Sequence, residues 1–571
     1  MKNKKISLRL LALAAMTIVS VSTSFAQSNL GASCGCPSPV ASRPTVLLSS
    51  LATSGGANDG ELLATNTILT CDKNWILDKK IYVPNGKTIT IQPGTVVKGR
   101  FRSTADSATT LTVERGGKIF ASGSADCQVV FTAEADNLDG SFPIANKGQW
   151  GGVCIAGRAT NNLTLAANGP FQPGVGDGRL CVANGLGTFE GFASSNNKDQ
   201  FGANLSIGET FDDNDNSGVL KYVSIRFAGA ILQVGGELNG LSLGSVGRGT
   251  TIEHIEVISS ADDAIELWGG TVNVKYVATL FGNDDMFDWD DGYSGKAQFI
   301  FGIKSSTNDT ITTSADADNG FEMDADDQKS NLLPRSHPVI YNVTMIGNGK
   351  QTLTSDNSGI AAIEAKELTE GEIYNSVFAN FRYGLNLIKT LGTGRSLSAG
   401  GEAWDNWQNG SQRVTAGGSV LSLKVKCNAF VGCQKDLAID KNAAGILLAS
   451  DTAQFYTTDQ NVHMSSIPGF NYVWSMNGIT NAVGSKFDAV PNPALSVAGC
   501  PVPPTDGFFV PAPYKGAFDS NAKNWLSDWA YAQLLGVTAG LQPCPSDING
   551  DGVTNNIDFL ILLGQFNQSC Q

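Results

Sequence analysis

Histidine is scarce in this chain, with 3 residues in 571, and no two cysteines have CxxC spacing. The common zinc-binding motifs are therefore absent. After the first 21 residues, no stretch approaches the roughly 18 consecutive apolar residues that a membrane-spanning helix needs. Between residues 70 and 440 the apolar spacing of amphipathic helices is almost missing. These absences indicate a soluble protein built mainly from β-strands.

Positive charge is also in deficit, because 39 Lys and Arg face 53 Asp and Glu. The net charge of -14 disfavours nucleic acid and anionic membranes as partners and suits calcium. Met1–Arg9 is basic, Leu10–Val21 is apolar, and Ser24-Phe25-Ala26 is a small-residue cleavage site. The sequence thus predicts a signal peptide over 1–26 and an extracellular or cell-surface location.

Short β-branched runs closed by turn residues recur along most of the chain, as in Ile81-Tyr82-Val83 before Pro84-Asn85-Gly86. Three similar segments begin at Ala261, Asn283 and Ala317, and the first two are 22 residues apart. Such a period predicts a solenoid of about a dozen coils at ~4.8 Å per coil. We expect a lead-in over 27–65, a parallel β-helix over 66–440, a cap over the open end within 441–540, and a small module over 541–571.

Several segments resemble a group of large secreted proteins common in Bacteroidota. They are Leu111–Ile119, Gly148–Val153, Asn216–Gly229, Ser260–Asp263 and Tyr514–Phe518 with Trp525 and Trp529. The resemblance covers roughly 70–530 and implies a right-handed parallel β-helix of the pectate-lyase-like type. It implies no activity, because the group is largely uncharacterised.

The repeat stacks carboxylates on successive coils. One predicted column contains Asp262, Asp263, Asp284, Asp285 and Asp318, and a parallel row contains Glu266, Asp288 and Glu322. Five further residues would thicken the patch, namely Asp290, Asp291, Asp324, Asp326 and Asp327. Stacked like charges repel unless a cation bridges them or some are protonated. The column is therefore a calcium or ligand groove, an acid–base pair for sugar cleavage, or a solvated turn ladder.

The catalytic residues, if any, are unknown, and Asp262, Asp263, Asp284 and Asp285 are weak candidates. His254, His337 and His463 lie outside the Gly-His-Gly context of polygalacturonases. Arg226 and Arg335 match the arginine base of pectate lyases by residue type alone. Trp150, Trp268, Trp289, Trp404 and Trp407 could stack on sugars, but packing is the simpler role for each.

The most specific motif begins at Asp547 and fits a twelve-residue calcium loop. Its ligand positions are occupied by Asp547, Asn549, Asp551, the carbonyl of Val553, Asn555 and Asp558. Asp at the last position, without an entering helix, is similar to one dockerin repeat. Dockerins carry two loops and this chain has one, so a cohesin-type partner gains little support.

Eleven cysteines in an exported chain favour disulfides. The expected pairs are Cys544 with Cys570, Cys427 with Cys433 and, more weakly, Cys154 with Cys181. Together these patterns predict an exported calcium-binding β-helix protein that is non-catalytic and binds a polysaccharide or a cell-surface partner. The alternative is a polysaccharide lyase or glycoside hydrolase that uses the stacked carboxylates. No motif for an organic cofactor is present.

Overall fold

A computed structural model of the chain describes residues 29–53, 56, 58–102, 108–163, 184–192, 196–233, 236–304, 319–325, 333–348, 361–389, 403–409, 422–442, 447–468, 470, 489–491, 493–519, 524–527 and 529–534. The predicted signal peptide, the predicted calcium-loop module and Asp318 all lie outside these residues. Within them, none of the helices is both long and apolar enough to cross a membrane.

The described residues form short strands and a few helical turns. The strands are β1 Thr45–Leu47, β2 Asp59–Glu61, β3 Asn66–Leu69, β4 Asn74–Leu77, β5 Lys80–Val83, β6 Thr88–Ile91, β7 Val96–Gly99, β8 Leu111–Val113, β9 Lys118–Ser122, β10 Val129–Ala133, β11 Val153–Ala156, β12 Leu186–Thr188, β13 Gln200–Gly202, β14 Gly218–Arg226, β15 Ile231–Gln233, β16 Gly236–Glu237, β17 Leu241–Gly244, β18 Thr251–Ile258, β19 Ile265–Trp268, β20 Asn273–Leu280, β21 Phe287–Asp290, β22 Lys296–Ile303, β23 Phe321–Met323, β24 Val339–Ile346, β25 Ala361–Ala365, β26 Gly371–Tyr374, β27 Val377–Ala379, β28 Tyr383–Leu387, β29 Leu423–Lys426, β30 Ala429–Val431, β31 Lys435–Ile439 and β32 Val462–Met464. The α-helices are α1 Ala403–Asn409, α2 Ala449–Ala453 and α3 Tyr531–Leu534.

The strands build a right-handed parallel β-helix, as the repeat predicts. Sheet B is the stack β2-β5-β8-β11-β17-β19-β21-β23-β25-β28-β31, and sheet A contains 17 strands. One coil runs along a bent strand of sheet A such as β18, turns into β19 of sheet B, and turns again into β20 of sheet A. Sheet B therefore counts eleven described coils, close to the dozen expected from the period.

The interior is filled by apolar side chains stacked coil on coil. One such column is Leu220, Ile252, Val274, Ala297, Ile340, Ile373 and Val425, and each of these residues is at most 2% exposed. Burying this column and its neighbours stabilises the coils against each other at about 25 cal/mol per Å² of apolar surface. The register that stacks these residues also fixes what is stacked on the outer faces.

Each bent strand of sheet A changes direction at one residue with a left-handed backbone. The bend residues of β14, β18, β20, β22 and β24 are Tyr222, His254, Tyr276, Phe299 and Asn342, with φ between 50° and 61°. The first four rings stack, with centroids 4.3, 4.4 and 5.0 Å apart from one ring to the next. We call these four residues the ring column. Aromatic stacking offsets part of the backbone strain, which costs about 1–2 kcal/mol per residue.

The parallel pairing begins earlier than the predicted boundary at residue 66. β1 pairs with β4, and β2 pairs with β5. Disulfides Cys36–Cys71 and Cys34–Cys127 join the segment before β1 to the first coils. β1 and β2 are only three residues long and lie in a Ser- and Gly-rich segment, so the sequence shows no periodic pattern that would indicate them.

Only part of the predicted cap covers the end of the solenoid. Phe455, just after α2, is fully buried, and its ring lies 5.2 Å from that of Phe430 in β30. Residues 447–464 therefore cover the last coil. The later residues 493–519, 524–527 and 529–534, which we call the strap, do not cover the end and instead lie along the side of the solenoid.

The strap follows the bend residues of successive coils in reverse chain order. Asn375 donates to the Pro501 carbonyl, Asn342 donates to the Tyr514 carbonyl, and Trp525 and Trp529 pack on the ring column. Its far end reaches Gln128, whose Nε2 donates to the Trp529 carbonyl over 2.8 Å. The bend residues face outward along the side of the solenoid. The strap lies on that side and buries them, whereas a cap over the end would not reach them.

The expected pair Cys427–Cys433 is wrong. Cys427 is bonded to Cys500 of the strap, and Cys433 is a buried free thiol that packs in the interior. Cys427 carries a left-handed backbone with φ of 59°, at the position that follows Lys426 of β29, and so faces the strap. Cys154 is also a buried free thiol, contrary to its expected pairing, and the pair Cys544–Cys570 lies outside the described residues.

Candidate functional site

Two rows of acidic side chains run along the outer face of sheet B. The first row is Ser242, Glu266, Asp288, Glu322, Glu364 and Asn386, each paired in register with the next. Ile265 and Leu267 point inward, so Glu266 between them points outward, as alternation requires. The second row, two residues further along, has Trp268 paired with Asp290 and continues to Asp324 and Lys366.

The turn that precedes each of these strands holds its own carboxylate ladder. Asp263 Oδ1 accepts the backbone N–H of Asp285 over 2.6 Å. Asp285 Oδ1 in turn accepts the N–H of Asn319, and Asn319 Oδ1 accepts that of Ala361 over 3.1 Å. Asp263 and Asp285 of the predicted column therefore form a ladder on successive coils, which Asn319 continues. One of its functions is to satisfy backbone donors between coils.

The column and the first row meet at Asp263. Oxygen atoms of Asp262, Asp263 and Asp284 lie within 4.8 Å of one another, and so do those of Asp263, Glu266 and Asp288. All five residues belong to the acidic column and row that the repeat predicts. We call them the carboxylate cluster.

Burial makes the cluster electrostatically costly. Desolvation, followed by the charges of neighbouring carboxylates, raises the pKa of Asp262, Asp263 and Asp288 well above the usual range. Asp262 also experiences the charges of Glu190 and Glu237, which lie outside the repeat. The cluster therefore requires either bound protons or a bound cation near neutral pH.

The donor set fits calcium. Calcium takes six to eight oxygen ligands at about 2.4 Å, so two of its ligands can be at most about 4.8 Å apart. Both groups of three satisfy this limit. In addition, Asp288 Oδ1 is buried and has no hydrogen-bond partner in the part of the chain that the structure describes. A hard cation would supply the missing partner.

A lysine lies at the C-terminal end of the two rows. Lys366 Nζ is 2.7 Å from Glu322 and 3.3 Å from Asp324. Burial would lower the pKa of Lys366, but Asp324, Glu322 and Glu364 raise it well above the usual value. Lys304 donates to the carbonyl of Asp284, and Lys441 is 3.2 Å from Glu364. The positive charge of the site therefore lies at Lys304, beside the backbone of Asp284, and at Lys366 and Lys441 near the C-terminal end of the rows.

An antiparallel hairpin of β12 and β13 covers the outer face of sheet B on the N-terminal side of the cluster. Phe201 lies against Gly244, where an added Cβ would be 2.2 Å from the ring, and packs on Trp268. Asp199 anchors the hairpin, because it accepts from Tyr82 over 3.0 Å and pairs with Lys80 over 3.3 Å. The outer face of sheet B is thus apolar under the hairpin and acidic beyond it.

The sequence did not indicate Glu364, Lys366, Asn319, Glu190 or Glu237. A signal for Glu364 exists, because Ala362-Ile363-Glu364 repeats Ala264-Ile265-Glu266. Lys366 carries no such signal, since its neighbours in the stack are Asp324 and Asp290 rather than lysines. Asp318, Asp326 and Asp327, and all six predicted ligands of the terminal loop, lie outside the described residues.

The other candidate residues have structural roles. Trp150, Trp268, Trp289 and Trp407 are at most 3% exposed, so none of them offers a sugar platform, and Trp404 lies under Lys389. Arg226 and Arg335 form ion pairs with Glu256 and Glu370, both over 3.7 Å and both nearly fully buried. His254 belongs to the ring column, His337 lies 3.6 Å from Glu372, and His463 pairs with Asp436 over 2.9 Å.

The fold and the acidic outer face define the class of protein as a parallel β-helix with carboxylates stacked on one sheet. The chain belongs to the pectate-lyase-like β-helix domain family, whose profile matches residues 60–177 and 187–416. No curated protein gave a significant match.

Two solved structures are similar to the chain at low identity. The crystal structure of pectate lyase Pel9A has 13% identity and a TM-score of 0.31, over 76% of this chain and 88% of that one. The tailspike protein 2 of the Escherichia coli O157:H7 bacteriophage CAB120 has 11% identity and a TM-score of 0.18, over 71% of this chain and 48% of that one.

Proposed function

We propose that this protein is exported and that it binds acidic polysaccharides through calcium held by the carboxylate cluster. The observation that carries the proposal is the convergence of Asp263 with carboxylates of its own and the neighbouring coil, within 4.8 Å. Bound calcium would supply positive charge that a uronate carboxylate can share. The N-terminal signal supports export, and the net charge of -14 disfavours capture of polyanions without a metal.

The terminal loop is part of this proposal. Asp547, Asn549, Asp551, the Val553 carbonyl, Asn555 and Asp558 would bind a further calcium ion, by the spacing of their oxygen ligands. That ion would stabilise the dockerin-like module and would not contact the polysaccharide. Because the loop occurs once in this chain, a stabilising role is better supported than docking to a cohesin.

Binding of polygalacturonate and alginate, with a neutral glucan as comparison, tests the proposal. We expect calorimetry on the full-length chain to show binding of the two acidic polymers in calcium and none in excess chelator. Asp263→Asn should weaken binding at least tenfold. The matched control is Asp72→Asn, because the Asp72 side chain is 53% exposed. Equal binding of the neutral glucan, or binding unaffected by chelator, contradicts the proposal.

A second candidate function is polysaccharide lyase activity, which the position of Lys366 favours. Removal of a proton next to a uronate carboxylate needs a neutral base and a cation on that carboxylate. Glu322 and Asp324 keep Lys366 protonated, and calcium beside them would lower the pKa of Lys366 toward the range of a base. Lys366 is the described cation that lies directly between carboxylates of both rows.

Ultraviolet absorbance of unsaturated sugars distinguishes the two functions. A lyase should release them from polygalacturonate or alginate in calcium, and Lys366→Met should reduce the rate at least 100-fold while leaving polymer binding intact. A binding protein should release none at any pH between 6 and 10. The matched control is Lys435→Met, because Lys435 lies on the exposed start of β31.

A further inference from the structure

Asp263 is shared by two groups of carboxylates that have no other member in common. Asp262 and Asp284 belong to the first group, and Glu266 and Asp288 to the second. The oxygens within each group lie within 4.8 Å of one another, but the five residues do not form one group at that distance. A single calcium ion with ligands at about 2.4 Å therefore cannot bind all five.

The second group contains the unpartnered oxygen of the site. Asp288 is 6% exposed, and its Oδ1 is buried without a hydrogen bond among the described residues. The other two members are held by donors, since Asn239 Nδ2 donates to Glu266 over 2.6 Å and the Asp285 N–H donates to Asp263 Oδ1. These bonds orient two carboxyl groups toward Asp288 and leave Asp288 itself in need of a partner.

The negative charge of the cluster also indicates two calcium ions. One calcium ion compensates two of the five negative charges of the cluster and leaves three buried like charges. Two ions compensate four. Both groups contain buried carboxylates, since Asp263, Glu266 and Asp288 are each at most 7% exposed, so each group has its own need for a cation.

We infer that the carboxylate cluster binds two calcium ions that share Asp263, one with Asp262 and Asp284 and the other with Glu266 and Asp288. This inference rests on the calcium site of the proposed function and adds its stoichiometry. A carboxylate has two oxygens and several lone pairs, so Asp263 can bridge two cations while accepting the Asp285 N–H. Paired cations in proteins commonly lie about 3.5–4 Å apart.

Counting ions in matched variants tests the inference. Calcium bound per full-length chain would be measured by equilibrium dialysis and elemental analysis, in a background with Asp547→Asn and Asp551→Asn to remove the contribution of the terminal loop. We expect Asp284→Asn and Asp288→Asn each to lose one ion and Asp263→Asn to lose two. Asp72→Asn should lose none. Asparagine keeps the Oδ1 acceptor, so the backbone ladder at Asp263 persists.

The outcomes separate the inference from the proposed function. Loss of a single ion in Asp263→Asn overturns the two-ion inference and leaves a calcium site for the polysaccharide. Loss of no ion in Asp263→Asn overturns both. Two ions that persist without polysaccharide binding support the inference and contradict the proposed function. If Asp263→Asn fails to fold, additive losses in Asp284→Asn and in Asp288→Asn, with both ions lost in the double variant, give the same answer.

Discussion

The ring column of sheet A and the carboxylate cluster of sheet B are products of the same register. In both, side chains of one chemical class, aromatic rings or carboxylates, lie above one another at the spacing of successive coils. Rings stack favourably at this spacing, with centroids 4.3–5.0 Å apart, and the strap then covers them. Carboxylates repel at the same spacing, and their pKa values rise. A solenoid therefore stabilises aromatic columns directly but needs a cation to stabilise acidic ones.

The largest expected effect concerns the docking of the strap beside the ring column. Glu256 accepts the backbone N–H groups of Tyr531 and Ala532 over 2.8 and 3.1 Å, and it faces the buried guanidinium of Arg226. Glu256→Gln removes the negative charge that faces the buried guanidinium of Arg226, which costs about 3–5 kcal/mol. We expect urea denaturation to show this loss, and hydrogen exchange to show faster exchange at Tyr531 and Ala532. Unchanged exchange there would contradict the docking of the strap.

The second effect concerns the acidic side and depends on pH. The pKa values of Asp262, Asp263 and Asp288 are raised in the folded protein, so the folded state binds more protons than the unfolded one. In chelator, stability should therefore fall as the pH rises from about 4, the ordinary Asp pKa. Calcium at 100 times its dissociation constant should add about 2.7 kcal/mol per ion at pH 7. Thermal unfolding at pH 5 and pH 7, with and without calcium, measures both effects.

The absence of such a slope in chelator would indicate that the cluster is not buried. Asp263→Asn should flatten it, because the variant removes the carboxylate common to both groups. Asp72→Asn is the control, since its side chain is exposed and lies far along the chain from the cluster.

A smaller effect tests how much the stacking of the rings contributes to stability. Tyr276 stacks between His254 and Phe299 at a left-handed bend, where two later coils have Asn342 and Asn375. Tyr276→Asn introduces a residue that tolerates this backbone and removes the ring contacts with His254, Phe299 and Trp525, at a cost of about 1–3 kcal/mol. Denaturant midpoints measure the loss, and Tyr276→Phe should lose much less. Equal losses in the two variants would argue against stacking.

The smallest expected effect lies three residues before Glu256. Glu253 is partly exposed and pairs with Lys221 over 3.2 Å and with His254 over 3.1 Å. His254 and Lys221, against the opposing effect of burial, lower the pKa of Glu253 to about 2. Glu253→Gln should cost less than about 1 kcal/mol at pH 7, because solvent screens the pair. The difference should shrink as the pH falls below about 4 toward 2, and a larger loss at pH 7 would place the residue in a buried network.

Local sequence patterns predicted the fold and part of the candidate site. The 22-residue period places Glu266 beside Asp288 and, across the insertion, Asp288 beside Glu322, and the structure has both pairings. The period could not reveal Lys366, which breaks the acidic pattern of its row, or Glu190, which comes from a hairpin outside the repeat. The disulfides also escaped prediction, since Cys427 and Cys500 are 73 residues apart and meet only when the strap docks.

The sequence alone determined the coil and its stacked rows, because a repeat of fixed length can bury its apolar side only against its own copies. Tertiary structure decided the partners of those rows. The strap reaches the ring column across more than 270 residues of chain, from Trp529 to His254, and the hairpin packs on the outer face of sheet B beside the cluster. Contacts between segments that share no repeat depend on geometry in three dimensions, and no periodicity encodes them.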